Sequence, residues 1–510
     1  MKEPGGRALH SYVSITFFTL VNALINYLTL TVLAYFFGAG SEIDALFAAM
    51  TIPQVVLGIL QSIVPAAFVP WFIKCRAEDE ANSWRAASIA ANALFAILAA
   101  LALLGTAFSG TIIRLINPGF PEPTSALSAS LFPYFILSLA LAGLSVLLSC
   151  LYYAERRFLR PLIAQAAGSA IILACVWLLH GRLGLASMAV GTLAGGGVQF
   201  LLLHAVLFRR GRYALSLDLG GREIVSLLVL TLPLLLGSLF YKMNVLVERF
   251  ISSRLPAGSM AYLGYAGKIN SALLLFLTQG VSVPLFQRLS EHSAAGDFSR
   301  LRDTLSRGLR AMILLAAPVA MLIAFSGRGL VRLAFERGSF SAGATRAVSV
   351  ILLAYLGYLA VSTVGLPVLN TLYSLQLTTL VSLVGLAGFL VYVLLAALLA
   401  RGMGAAGIAL AASLQSLASI AVFTWIALKR IGGLRVGPVL RCLGKAVFAA
   451  AAAFAAAVPL AALLRGGTGP NLAFLLATAA AFCAYGALLL ALRTEEVSFI
   501  TDRFRRRQAG

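Results

Sequence analysis

Three basic residues lie inside long apolar stretches of the sequence, where an ionised side chain is costly and points to a function. Lys242 and Arg249 are seven residues apart, which places them on one face of a helix and about 10 Å from each other along it. Lys268 lies roughly 14 Å along the next helix from Ser259 at the usual rise. Three cations that converge inside a membrane are suited to bind a diphosphate or another anionic headgroup. The alternative is that Arg249 and its neighbour Glu248 lie near a helix end and reach the interface.

Uncharged polar residues also occur inside the apolar stretches, where their ordinary role is to hydrogen-bond neighbouring helices. We add Asn26, Gln61 and Asn270 to the candidate binding residues on this pattern. Prolines inside these stretches are expected to bend or break the helices, because proline lacks an amide hydrogen. We expect Pro53, Pro65 and Pro284 to act in this way. A run of three glycines at 195–197 predicts a place of close helix approach or flexing.

Catalytic and cofactor motifs are absent from the sequence. The four histidines share no ligand spacing, the five cysteines are scattered, and no phosphate-binding loop argues for coupling to ATP. We therefore expect no catalytic residue, no metal and no cofactor, and no direct coupling to ATP hydrolysis. Glu42 and Asp44 form an acidic pair that leaves one enzyme open, a lipid-linked sugar transferase with a metal at this pair.

The elements that must position these residues are membrane-spanning helices. Of 510 residues, 60% are hydrophobic and only 11% are charged, whereas a soluble domain is nearer half apolar and a quarter charged. The apolar blocks reach the ~20 residues that a helix needs to cross a bilayer. Helices are expected because lipid offers no partner for a bare backbone amide. The net charge of +21 lies mainly in short loops, so membrane topology explains it and no nucleic-acid partner is expected.

Fourteen spans follow from the apolar blocks. They are 12–37, 43–73, 86–108, 126–151, 160–180, 185–208, 223–250, 259–288, 307–326, 344–373, 377–400, 405–429, 442–464 and 470–492. Loops with clustered Lys and Arg fall on one side, which is cytoplasmic by the positive-inside rule. Both termini then lie in the cytoplasm. Arg328, Arg332 and Arg337 fall on the outer side, so that loop is functional or one span is misplaced.

An internal repeat divides the chain. Ala39-Gly40-Ser41 precedes Gln61 and Pro65, and the same triplet at 257–259 precedes a glutamine and Pro284 at similar distances. Parallel repeats with a central site are a common transporter plan, although chance similarity in Gly-rich apolar sequence is the alternative. The repeat predicts an N-lobe at 1–215, a C-lobe at 216–432, a terminal helix pair at 433–495 and a basic cytoplasmic tail at 496–510.

Four segments carry a resemblance to a known family. They are 37–70, which includes Phe37-Gly-Ala-Gly40 and Asp44-Ala-Leu-Phe47; Tyr265-Ala-Gly-Lys268; Ala334-Phe-Glu-Arg-Gly-Ser-Phe-Ser341; and Gly404–Ser413. This pattern resembles the MurJ/MviN family, lipid II flippases of the multidrug/oligosaccharidyl-lipid/polysaccharide exporter superfamily. The resemblance covers the chain nearly end to end. It implies an all-α integral membrane fold of two six-helix lobes around a V-shaped cationic cavity, plus two C-terminal helices that form a groove for a prenyl tail. Gating or structural roles are expected for Asp44, Pro53, Pro65, Glu248, Pro284 and Gly338.

The sequence departs from the family in spans 1 and 2, where the family carries arginines. The corresponding stretches here, Asn22–Leu33 and Gln54–Leu60, contain no charge, and Lys268 stands where an arginine is usual. Fewer cations should hold a diphosphate less tightly, because each charged hydrogen bond contributes ~1.5–3 kcal/mol. Lys242 adds a second lysine to the expected headgroup-binding set.

The function that the resemblance implies is outward movement of lipid II, an undecaprenyl-diphosphate-linked glycan, by alternating access in the bacterial cytoplasmic (inner) membrane. The expected partners are this lipid, the bilayer and cell-wall synthesis proteins. Three alternatives stay open: a flippase for another lipid-linked polysaccharide precursor, the sugar transferase, and a non-transporting scaffold for envelope synthesis.

Overall fold

The computed structural model describes residues 5–208, 213–214, 216, 218 and 222–492, and its regular elements there are all α-helices. In chain order they are α1 (Gly5–Phe37), α2 (Ser41–Glu78), α3 (Glu80–Ala107), α4 (Ser109–Ile116), α5 (Glu122–Ala154), α6 (Leu159–Leu183), α7 (Ala186–Leu203), α8 (Ala205–Phe208), α9 (Arg222–Ser252), α10 (Ser259–Ala294), α11 (Phe298–Phe335), α12 (Ala342–Ala354), α13 (Leu356–Val364), α14 (Leu366–Ser374), α15 (Thr378–Met403), α16 (Ala405–Ile431), α17 (Val436–Thr468) and α18 (Pro470–Ala491).

Thirteen segments of the described residues are helical, long and apolar enough to cross a membrane. They match thirteen of the fourteen predicted spans. The seventh predicted span coincides with α9, a helix in which the structure describes only part of the side chains. The prediction of an all-α, multi-pass membrane protein is confirmed. Two pairs of predicted spans are separated by only a few residues, and both separations are confirmed. α6 ends at Leu183 before α7 begins at Ala186, and α14 ends at Ser374 before α15 begins at Thr378.

Two elements differ from the prediction. The short helix α4 lies where a loop was expected, and its apolar residues fall on one side of it. The tenth span is three helices, α12, α13 and α14, with interruptions at Tyr355 and Gly365. Pro367 lies in the first turn of α14, where a missing amide hydrogen costs least.

The helices are not broken at three prolines for which a bend or a break was expected. Pro53 and Pro65 lie inside the continuous helix α2, and Pro284 lies inside the continuous helix α10. A proline removes one backbone hydrogen bond, but helices of 38 and 36 residues keep the bonds on either side of it. A proline alone was therefore not enough to predict a break here.

Contacts divide the described chain into two units. The first contains the residues up to Ala261 together with Arg337–Phe340, and the second contains Tyr262–Glu336 and the residues from Ser341 onward. The lobes and terminal pair that the repeat predicts are a division by sequence similarity and stay a prediction.

Small residues bring helices together inside each unit. In the first, a Cβ on Gly195 of α7 would lie 2.5 Å from the carbonyl oxygen of Gly168 in α6, so only glycine permits this approach. The close approach predicted for the glycine run at 195–197 is confirmed. In the second, buried alanines of α17, among them Ala446 and Ala450, pack with Ile313 of α11. Close packing of small side chains is the usual way in which membrane helices associate.

Candidate functional site

The interface between α2 and α9 positions Lys242 in the first unit. Val55, Ile59 and Ile63 of α2 are buried there, against the partly buried Val245 and Leu246 of α9. One turn earlier on α9, the Lys242 ammonium nitrogen lies 3.2 Å from the point that a Cβ on Gly58 would occupy. The lysine side chain therefore lies along the middle of α2, at a position that has room for it because residue 58 is a glycine.

A polar face of α2 surrounds this lysine. Gln54, Gln61 and Ser62 are exposed and stand four, three and four residues from Gly58, so they share its face of the helix. The Ser62 hydroxyl donates to the carbonyl oxygen of Gly58 at 2.9 Å. Amide side chains are costly against lipid tails. We infer that this face, with Lys242 beside it, meets water or a polar substrate.

Sequence reasoning placed Gln61 and Lys242 in the binding set but left out Gln54, Gly58 and Ser62. The spacing of Gln54 and Gln61 over two helical turns was the available signal, since it predicts one polar face. The role of Gly58 had no signal in the sequence, because it depends on where α9 lies against α2.

The predicted binding residue Asn26 is exposed on α1. Its side-chain amide donates to the carbonyl oxygen of Asn22 at 2.8 Å and lies 3.3 Å from the Asn22 side-chain oxygen. That oxygen also accepts a hydrogen bond from the Ser169 hydroxyl of α6 at 2.8 Å. Asn22 thus links α1 to α6, and Asn26 extends this polar patch to the exposed surface of α1.

Asp44 and Arg249 lie at the other end of the α2–α9 contact, where they hold the start of α10. The Asp44 carboxylate is 4% exposed and accepts from the amides of Gly258 at 2.6 Å and Ala261 at 2.7 Å. A carboxylate is stabilising at a helix N-terminus because it pairs with free amides and with the positive end of the helix dipole. A guanidinium nitrogen of Arg249 lies 3.5 Å from the carbonyl oxygen of Met260.

The surroundings of Arg249 are mostly closed. Its side chain is 12% exposed, lies over the ring of Phe47 at 5.8 Å and lies 3.7 Å from the Glu248 carboxylate. Lys242 and Arg249 both face α2, as their spacing predicts, but Arg249 contacts structural groups rather than the polar face. Its predicted role in substrate binding, and the gating roles of Asp44 and Glu248, stay predictions.

Glu42 and Asp44 do not form a metal site within the part of the chain that the structure describes. Both carboxylate oxygens of Asp44 accept backbone amides, whereas Glu42 is exposed. No group of three or more His, Cys, Asp or Glu residues that could hold a metal occurs in the part of the chain that the structure describes. The geometry gives no support to the metal-dependent sugar transferase.

The remaining predicted residues of α10 belong to the second unit. Lys268 is exposed, and Asn270 is 4% exposed with no hydrogen-bond partner for its side-chain oxygen among the described residues. Pro284 is exposed, and the side chain of Gln279 lies outside the description. Their roles in binding and gating stay predictions.

Arg328, Arg332 and Arg337, which the predicted topology places on the outer side, differ in their surroundings. Arg332 of α11 donates to the carbonyl oxygen of Pro470 at 2.9 Å, which ties α11 to the start of α18. Arg328 and Arg337 are exposed. Gly338 has a φ of +57°, and a Cβ there would overlap the carbonyl oxygen of Tyr35. The amide of the next residue, Ser339, donates to that same oxygen at 2.8 Å.

Comparison with solved structures gives the fold. A structure titled lipid II flippase MurJ in an inward closed conformation matches with a TM-score of 0.82 at 19% identity, over 95% of this chain and all of that one. An inward-facing multidrug resistance MATE family transporter of the MOP superfamily matches with a TM-score of 0.69 at 13% identity, over 81% of this chain and 94% of that one.

Comparison of sequences gives the family. The probable lipid II flippase MurJ of Vibrio cholerae serotype O1 is 25% identical over 370 residues, which are 68% of this chain and 69% of the relative. The protein of the same description from Aquifex aeolicus is 25% identical over 330 residues, 63% of each chain. The chain thus spans about two thirds of the length of these relatives. The family model described as lipid II flippase MurJ matches residues 33–473, so the protein belongs to the MurJ family of lipid II flippases.

Proposed function

We propose that the protein moves lipid II from the inner to the outer leaflet of the bacterial cytoplasmic membrane by alternating access. Membership of a family of transporters supports this proposal, as do the relatives named as probable lipid II flippases. The observation that carries it is the Lys242 ammonium group beside the polar face of α2.

This arrangement matches the chemistry of a lipid diphosphate. Lysine is a compact point charge with three rotatable donors, so it binds phosphate without demanding one orientation. Gln54 and Gln61 offer amide donors and acceptors on the same face for the sugar and peptide part of a headgroup. The cation that α2 lacks in its own Gln54–Leu60 stretch is supplied by α9.

The proposed orientation has both termini in the cytoplasm, as the distribution of basic loops predicts. A membrane potential or an ion gradient would drive the cycle, since a charge that crosses the membrane gains ~2.3 kcal/mol per 100 mV. Cell-wall synthesis proteins stay expected partners.

The test is transport by purified protein in vesicles that carry fluorescent lipid II, together with rescue of cells depleted of their own lipid II flippase. We expect the wild type to move lipid II and rescue growth, and Lys242→Ala to reduce transport about tenfold, the loss of one charged hydrogen bond. Lys74→Ala is the matched control, because Lys74 is an exposed lysine near the far end of α2. Wild-type protein that reaches the membrane but moves no lipid II would refute the proposal.

A second candidate is a flippase for a different undecaprenyl-linked glycan. The absence of charge from Asn22–Leu33 and Gln54–Leu60 favours it, because fewer cations leave more of the specificity to the sugars. Competition in the same vesicles distinguishes the two, since the preferred lipid inhibits transport of the other.

A further inference from the structure

Two glycine-containing loops close onto helix ends within the first unit. In the loop between α4 and α5, the Gly119 amide lies 3.3 Å from the Ser253 hydroxyl oxygen, just after α9 ends. A Cβ on Gly119 would lie 2.5 Å from the carbonyl oxygen of Ser253 and 2.6 Å from the Cα of Arg254. Gly338, after α11, makes the corresponding approach to Tyr35 in the last turn of α1.

The two contacts occupy equivalent places in the sequence repeat. Tyr35 and Ser253 are 218 positions apart, the same separation as Ser41 and Ser259, the first residues of α2 and α10. The two glycines are 219 positions apart. These four residues are not among those that carry the sequence repeat, so the contacts support the repeat independently and argue against chance similarity.

The pairing is crossed. The loop of the first repeat reaches α9, which begins the second repeat, while the loop of the second repeat reaches α1, which begins the first. The four segments follow the first, third, seventh and ninth spans. A chain that crosses the membrane with each span therefore places all four on one side.

Hydrogen bonds at both contacts cap helix ends. The Ser339 amide donates to the carbonyl oxygen of Tyr35 at 2.8 Å, and its hydroxyl donates to that of Phe36 at 3.0 Å. At the other contact, the Ser253 hydroxyl donates to the carbonyl oxygen of Phe250 at 2.9 Å while it faces the Gly119 amide. The last carbonyls of a helix lack intrahelical partners. The Gly338 loop thus caps carbonyls of α1, whereas at the other contact Ser253 caps the end of α9 and the Gly119 loop bonds that capping hydroxyl. Water could satisfy the same groups after release.

We propose that these loops are paired latches that fasten one side of the protein and release together. The Gly119 latch is residues 117–121 on 253–254, and the Gly338 latch is residues 337–340 on 35–38. This inference rests on the proposed transport function, because alternating access requires each side to close in turn. Glycine is required at both latches, since any side chain would strike the backbone of the helix end.

The test measures whether opening one latch exposes the other. Ser253→Cys is the reporter, because Ser253 is 3% exposed and lies in the Gly119 latch. The full-length protein, with its native cysteines replaced by alanine, is placed in lipid nanodiscs and treated with an impermeant maleimide. Gly338→Ala should raise the labelling rate of this reporter about fivefold, as expected for loss of an ordinary hydrogen bond.

Two controls separate release of the latches from unfolding. Gly40→Ala should leave labelling unchanged, because a Cβ on Gly40 meets nothing within 4 Å. A second reporter, Ser187→Cys, sits in a fully buried position outside both latches and should stay unlabelled. If Gly338→Ala exposes both reporters, the milder variant Ser339→Ala is measured instead, because it removes only the hydroxyl bond to the Phe36 carbonyl. Faster labelling of Ser253→Cys with Ser187→Cys still unlabelled then supports the proposal.

Unchanged labelling of Ser253→Cys in both Gly338→Ala and Ser339→Ala would overturn the proposal. Maleimide labelling uses no lipid II, so the result is independent of the substrate. Linked latches in a protein that moves no lipid II would leave this inference standing and refute the proposed function.

Discussion

At the scale of single residues, Lys242 and Gly58 act as a pair. The lysine carries the charge, and the glycine leaves the space through which its side chain follows α2. A longer side chain at position 58 would have to share that space with the lysine. The position of the ammonium group is therefore fixed by two helices, α2 and α9, and a change in either should be felt at the polar face.

The variant Gly58→Leu tests this pairing. We expect it to weaken binding of lipid II to the purified protein about tenfold, because the leucine displaces the ammonium group from the polar face. In combination with Lys242→Ala the loss should be no greater than that of either change alone, since residues that act through one contact are not additive. Binding titrations of the single and double variants measure both effects.

Gly385→Leu is the matched control for Gly58→Leu. It introduces the same side chain into a membrane helix, α15, at a glycine whose Cβ would meet nothing within 4 Å. We expect its binding to equal that of the wild type. Fully additive losses for Gly58→Leu and Lys242→Ala would show that the two residues act separately.

The sequence predicted that Lys242 and Arg249 share one face of α9, because helical spacing alone decides that. It did not predict their different surroundings. Arg249 meets Phe47 and the cap that Asp44 forms on α10, while the Lys242 side chain lies beside Gly58, next to the space that a side chain at position 58 would occupy. Burial depends on the neighbouring helix, and nothing in one span reports what lies opposite it.

At the scale of elements, glycine marks two helix ends in the sequence, whereas other predicted ends differ from the structure by up to nine residues, as for the ninth span, 307–326, which is α11 at Phe298–Phe335. Gly184 and Gly404 stand where α6 and α15 end, both with φ near +55°, and glycine adopts that conformation without steric cost. The interruptions of the tenth span were not predictable. At the interruption at Tyr355, two backbone groups are hydrogen-bonded by Ser413 of α16, which is 58 residues away from Tyr355 in the sequence.

Ser413 makes two hydrogen bonds at this interruption. Its hydroxyl accepts from the Tyr358 amide at 2.9 Å and donates to the carbonyl oxygen of Ala354 at 2.6 Å. Ser413→Ala leaves both backbone groups without this partner, in a position where Ser413 is 3% exposed. We expect a loss of about 1–3 kcal/mol in unfolding free energy, measured as a lower midpoint of thermal unfolding in detergent.

Ser382→Ala is the control for that measurement. Ser382 is exposed, and its hydroxyl bonds only the carbonyl oxygen of Thr378 one turn earlier in its own helix. The two variants remove the same atom, so equal stability of both would show that the bridge to the interruption contributes nothing.

At the scale of the whole molecule, composition and block length were enough to predict the membrane class and thirteen of the fourteen spans. Low charge and blocks of about 20 apolar residues leave few other folds. Whether both termini lie on the same side depends on whether the number of spans is even or odd, and one helix decides that number. Thirteen spans are supported by the described residues, so α9 decides whether the termini share a side.

Cysteine labelling in intact cells tests whether α9 crosses. Gly181 is exposed in the last turn of α6, and Ala257 and Ala295 are exposed residues that follow α9 and α10. If α9 spans the membrane, an impermeant maleimide labels Gly181→Cys and Ala257→Cys from outside, and labels Ala295→Cys only after the cells are permeabilised. If α9 stays on one side, Ala257→Cys is protected and Ala295→Cys is labelled, while Gly181→Cys is unchanged. We expect the first pattern, because the two paired latches require α1 and α9 to end on the same side.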